Sequence, residues 1–212
     1  MKRGIIMIII CALSFWTLPA QATLITIQIE GVVDSVRDEG NYLEGKIKPG
    51  NIITGFYTYE STTPDSNPIP QVADYLHHAV PCGISLTVGG FDFKTDPANV
   101  DFLVEIINDY TSGGLQDNYG LISYNNLPLS NGVSVDSIYW RITDLSATAL
   151  SSTELLTIAP VLDDWQTNIL NISGYRTFGI WGHVTSAIPE PATISLLGLG
   201  LLLLRKKNLI TN

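Results

Sequence analysis

The chain predicts an all-β body, a single antiparallel β-sandwich or jelly-roll domain, and three observations predict it. Short runs alternate apolar and polar residues with period two, which is the signature of half-buried strands. Clusters of Gly, Pro, Asn, Asp and Ser separate these runs. Within the body, only "STELLTIAPVLDDW" hints at a helical turn, and Pro160 interrupts it. Eight to eleven strands without helical partners must bury their apolar faces against one another, which implies packed sheet layers.

The elements follow in order. In "LITIQIEGVV", from Leu24 to Val33, Ile25, Ile27 and Ile29 share one face while Thr26, Gln28 and Glu30 share the other. "IITGFYTYE" repeats the pattern with Phe56, Tyr57 and Tyr59. "GISLTVGGFDFK" sets Gly89-Gly90 between two alternating runs, a strong signal for a two-residue hairpin. Further strands are expected in "VDFLVEII", "YGLISYN", "SIYWRIT", "ILNIS" and "FGIWGHVTS". Trp140, Trp165 and Trp181 read as core or half-buried sheet residues rather than ligand platforms.

The 212 residues divide by composition into a body and two unlike ends. Lys2 and Arg3 precede an apolar run from Ile5 to Trp16, and Ala20 and Ala22 supply small residues for a signal peptidase. Residues 1–22 are therefore expected to be a signal peptide, and 23–187 the β-sandwich domain. Between Thr23 and Ile188 stand nineteen Asp and Glu against six Lys and Arg, a formal balance of −13. A body that acidic should repel nucleic acid and anionic lipid. Of the two cysteines, Cys11 falls within the signal peptide, so Cys82 alone remains and no intramolecular disulfide is expected.

The last segment is 188–207, with a terminal extension at 208–212. In it Pro189, Glu190 and Pro191 precede thirteen uncharged residues, 192–204, and the basic group Arg205, Lys206 and Lys207. As a helix that run would cover roughly 20 Å, against a hydrocarbon core of about 30 Å, which suits a transient hold better than a permanent one. The basic end belongs on the cytoplasmic side, leaving the body outside. "PEPATISLLGLGLLLLRKK" resembles the PEP-CTERM sorting tail of exported proteins of Gram-negative bacteria. The resemblance implies an inner-membrane-tethered intermediate and an exosortase, a membrane protease of exopolysaccharide-producing systems, as processing partner. It implies delivery to the cell surface or a biofilm matrix. "GFYTYESTTPDSNPIPQVADY" and "FGIWGHVTSAIPEP" are similar to a group of β-rich exported proteins bearing the same tail, with Glu60 where Asp is commoner. That similarity extends to fold and export alone.

No strong catalytic constellation is present: the chain has no Gly-x-Ser-x-Gly elbow, no His-Glu-x-x-His pair and no phosphate-cradling glycine loop. His78 stands four residues before Cys82, but in an extended segment His77 and His78 point to opposite faces, which argues against a shared metal site. Oxygen-rich loops offer weak calcium candidates in Asp65, Asn67, Asp74, Asp117, Asp163 and Asp164, with Asn118 beside them, although none completes a calcium-loop pattern. The expectation is a non-enzymatic, cofactor-free surface or matrix protein, structural or adhesive, in contact with exopolysaccharide. Two alternatives stand beside it: a carbohydrate-active hydrolase using paired carboxylates, and a calcium-stabilised adhesive module.

Overall fold

The computed structural model describes residues 23–111 and 114–190. The expected signal peptide, with Ala20 and Ala22, and the tail from Pro191 onward, with Arg205, Lys206 and Lys207, lie outside the described residues. Ten strands form: β1 (Leu24–Arg37), β2 (Ile52–Glu60), β3 (Val72–His77), β4 (Gly83–Val88), β5 (Phe91–Lys94), β6 (Phe102–Tyr110), β7 (Gln116–Ser123), β8 (Ser137–Asp144), β9 (Thr167–Ser173) and β10 (Gly179–Pro189). A short 3-10 turn, Leu162–Asp164, is all that the helical hint after Ser152 becomes.

The predicted sheet layers belong to one continuous antiparallel sheet, in the order β3-β6-β7-β8-β9-β10-β1-β2-β4-β5. Strand twist accumulates across ten strands, and the sheet curls until its two halves face each other. Tyr57 of β2 meets Trp140 of β8 at 5.9 Å between ring centroids, and Tyr119 of β7 donates its hydroxyl to that of Tyr57 at 3.3 Å. Trp140 and Tyr119 meet edge to face at 6.1 Å, the geometry that ring quadrupoles favour. Burial pushes the Tyr57 and Tyr119 hydroxyls well above the usual tyrosine range.

β1 runs beyond the predicted end at Val33. Register shifts at Glu30/Gly31 and Val33/Ser35 re-phase the strand against β10 and let pairing continue to Arg37. Gly31 is required at the first shift: a Cβ there would sit 2.6 Å from the His183 carbonyl oxygen. Gly89 and Gly90 both take positive φ, 58° and 83°, as a two-residue primed turn demands.

Both sheet edges are covered. Against β3, Asp65 accepts the Asp74 amide at 2.9 Å and the Ser66 amide donates to the Asp74 carbonyl at 3.0 Å, so this loop stands in for a strand. Beyond β5, Leu127 donates to the Lys94 carbonyl at 2.9 Å and Thr95 bridges to Asn126.

Candidate functional site

Asp65, Asp74, Asp117 and Asp144 are already committed within the fold. Asp65 accepts the amides of Asn67 and Asp74, and Asn67 donates to the Asp74 carboxylate at 2.8 Å. Asp117 is fully buried and accepts the amides of Asp109 and Leu150, both at 2.9 Å. Directly opposite it, buried Asp144 gathers the Ser146, Thr148 and Ala149 amides and the Ser146 and Thr148 hydroxyls. Burial alone would raise the Asp144 carboxyl. The hydrogen bonds outweigh it and hold the group well below the usual carboxylate range. Asn118 instead takes the Thr143 hydroxyl at 2.6 Å. Asp163 and Asp164 lie exposed on the 3-10 turn. Among the described residues, no three His, Cys, Asp or Glu are placed to hold a metal.

His77 and His78 do point to opposite faces. His77 is buried between Tyr59 and Phe102, with the Thr63 hydroxyl 3.1 Å from its Nδ1. Desolvation lowers its pKa to about 4, with the Glu60 charge opposing and His78 assisting. Cys82 is buried, as expected of a small apolar residue, and burial followed by the Glu60 charge pushes its thiol up.

Two ends of the β1/β10 ladder carry the features that bear on function. At one end, the predicted sorting motif begins inside the sheet. Ile188 and Pro189 pair with Gln28 and Ile27, and the Glu190 amide donates to the Thr26 carbonyl at 2.9 Å. Because Glu190 supplies that donor, the neighbouring Pro189 nitrogen faces the opposite edge, where no ladder bond is lost. β9 pairs with β10 only as far as Gly182. Beyond it the Asn168 side chain substitutes for a strand, accepting the Val184 amide at 3.1 Å and donating to its carbonyl at 2.7 Å. A groove of about 500 Å³ runs beside this free edge, between the chain at Ile158–Asp163 and the residues Thr185, Ala187 and Pro189.

At the other end, Arg37 pairs in register with Gly179. There the loop after β1 and the turn before β10 enclose a cleft of about 490 Å³, lined by Arg37, Glu39, Gly40, Tyr42, Arg176 and Thr177. Asp38 builds the loop by accepting the Tyr42 and Leu43 amides at 2.7 and 2.8 Å, and buried Leu43 anchors it in the core. Gly174 and buried Phe178 close the turn through a 3.1 Å backbone bond. Each guanidinium lies over an aromatic ring: Arg37 at 6.0 Å from the Trp181 centroid, Arg176 at 5.0 Å from that of Tyr175. Trp181 is 38% exposed and Tyr175 66%. Sequence analysis read Trp181 as a core or half-buried sheet residue; it is a sheet residue, but β10 sends Ile180 and Val184 inward and so turns Trp181 to the outer face, across Gly179. Trp140 is fully buried and Trp165 half-buried, as expected.

Arg37, Arg176, Tyr42 and Tyr175 were not singled out from sequence. The signal was the scarcity of bases in the body. Among the described residues, Lys46, Lys94 and Arg141 form ion pairs with Glu44, Asp92 and Glu105, whereas Lys48 and the two cleft arginines form none.

The last strand of this all-β domain leads directly into an apolar, basic-ended stretch of sequence. The family model for the PEP-CTERM protein-sorting motif matches residues 187–207, so its first four residues are those seen in and beside β10. The chain therefore carries this motif, which implies export, a membrane-anchored intermediate and processing by an exosortase. No curated protein and no solved structure matches the chain. Among the described residues, no helix is long and apolar enough to cross a membrane.

Proposed function

We propose that the β body is a non-enzymatic surface or matrix protein, structural or adhesive, that contacts exopolysaccharide through its exposed aromatic residues. The observation that carries this is the β1/β10 ladder. It holds the sorting motif at one end and the Trp181–Tyr175 end at the other, so a tethered chain presents the aromatic end away from the membrane. Ten residues of each strand separate the pairs Ile27–Pro189 and Arg37–Gly179, roughly 30 Å at about 3.3 Å per residue. Exposed aromatic faces suit sugar rings, which offer C–H surfaces and hydroxyls together. A hydrolase would want two carboxylates across one cleft, and among the described residues Glu39 is the one carboxylate lining the cleft beside Arg37 and Arg176.

The test is retention of the full-length chain, purified in mild detergent, on extracellular matrix from the producing cells. Specific retention, weakened by Trp181→Ala combined with Tyr175→Ala, is expected. Failure of both forms to bind, with turnover of a matrix glycan, would replace this reading with the hydrolase.

A further inference from the structure

We infer that the cleft between Arg37 and Arg176 is a subsite for an acidic sugar, a uronate unit of a polysaccharide, with the guanidiniums receiving its carboxylate. This rests on the glycan reading above and names the chemistry it would recognise.

The first support is electrostatic. The body has nineteen acids for six bases, yet Arg37 and Arg176 both line one cleft without an ion-pair partner among the described residues. An unpaired guanidinium offers donors in a planar fork that matches a carboxylate. Stacking on Trp181 and Tyr175 restrains each fork without using those donors. The second support is conformational. Arg176 takes φ 56° in the turn, a left-handed position that Gly or Asn fills more cheaply. Among the described residues five non-glycine residues take positive φ, and Arg176 is the one of them that lines this cleft, as strain at functional sites would have it. The third is composition: Tyr42 supplies an apolar wall, its ring lying across Gly40, and Glu39 supplies an acceptor for sugar hydroxyls.

The rest of the molecule narrows the ligand. An overall acidic body repels a dense polyanion at long range, so the cleft favours carboxylates spaced along a sugar chain over closely packed sulfates. The Glu39 carboxylate acts in the same direction at short range.

The experiment uses the full chain in mild detergent and titrates an oligogalacturonate, the same oligomer after carboxyl reduction, and dextran sulfate. Binding of the oligouronate is expected to fall about tenfold or more in Arg37→Gln/Arg176→Gln, while the carboxyl-reduced oligomer binds more weakly than its parent and equally to both proteins. Trp181→Ala should weaken both oligomers. Three results overturn the inference: no binding of the oligouronate, equal binding of the parent and reduced oligomers, or equally tight binding of dextran sulfate. Matrix retention that survives any of these leaves the broader glycan reading standing, and loss of matrix retention removes that reading itself.

Discussion

The two ends of the β1/β10 ladder are built on different principles. At the sorting end, strands carry the chain nearly to the membrane signal. Ile27, Tyr57 and Tyr59 are sealed in the core, and Asn168 satisfies the β10 edge at Val184, where β9 no longer pairs. At the cleft end, two loops do the work, with non-glycine residues Asn41, Glu44 and Arg176 at positive φ and aromatic rings left in solvent. One end places its side chains for packing and the other for presentation. Substitutions should therefore change stability at the first and recognition at the second.

The largest effect belongs to Trp140→Ala. Removing this buried ring should cost about 4 kcal/mol, and it also takes away the donor that holds the Asn168 amide at 3.0 Å. Denaturant unfolding measures the loss. A cost under about 1 kcal/mol would show that the sheet halves are not held together at this point. A smaller effect comes from pH. His77 packs on Tyr59 beside the start of β1, and it is neutral in the folded chain down to about pH 4 but protonates near 6.5 when unfolded. Between those values the unfolded chain binds the extra proton. This contribution is complete above pH 6.5 and is lost as pH falls toward 4. Discounted for residual solvent access, it amounts to about 2 kcal/mol. Thermal melts of the parent and His77→Phe should show a shallower acid slope in the variant, and parallel slopes would reject the assignment. The smallest effect sharpens the contrast most. Arg176→Gly relieves a left-handed residue but loosens the unfolded chain, leaving a net gain of about 0.5 kcal/mol. Stability should hold or rise slightly while oligouronate binding drops. A loss exceeding about 1 kcal/mol would mean that the Arg176 side chain holds the turn together.

Local patterns made much of the fold legible. Alternation gave β2, β4 and β8 nearly to the residue, and the Gly-Gly pair gave the β4/β5 turn. Alternation fails where a bulge resets the phase, which is why β1 reads as ending at Val33 when it continues to Arg37. The edge strand β3 is marked only by the extended reading of His77 and His78, because its six residues are too short to show a sustained alternation. The sorting motif was legible because it is linear. The cleft was not, because the β1/β10 register is what brings Arg37 and Arg176 to one cleft, and no local pattern in either segment announces the other. Charge scarcity was the available clue, since this body has only six bases and two of them line one cleft.

The pairing of β10 with β1 also has a mechanical meaning. A ligand gripped at the Arg176 turn and a tail restrained beyond Glu190 would pull on β10 from its two ends. Interstrand hydrogen bonds lie perpendicular to that axis, so tension along β10 meets the ladder to β1 in shear, with every bond from Gly179 to Pro189 sharing the load. A tail leaving from the same end as the ligand would instead peel those bonds one at a time. The topology suits a domain that must stay folded while being pulled.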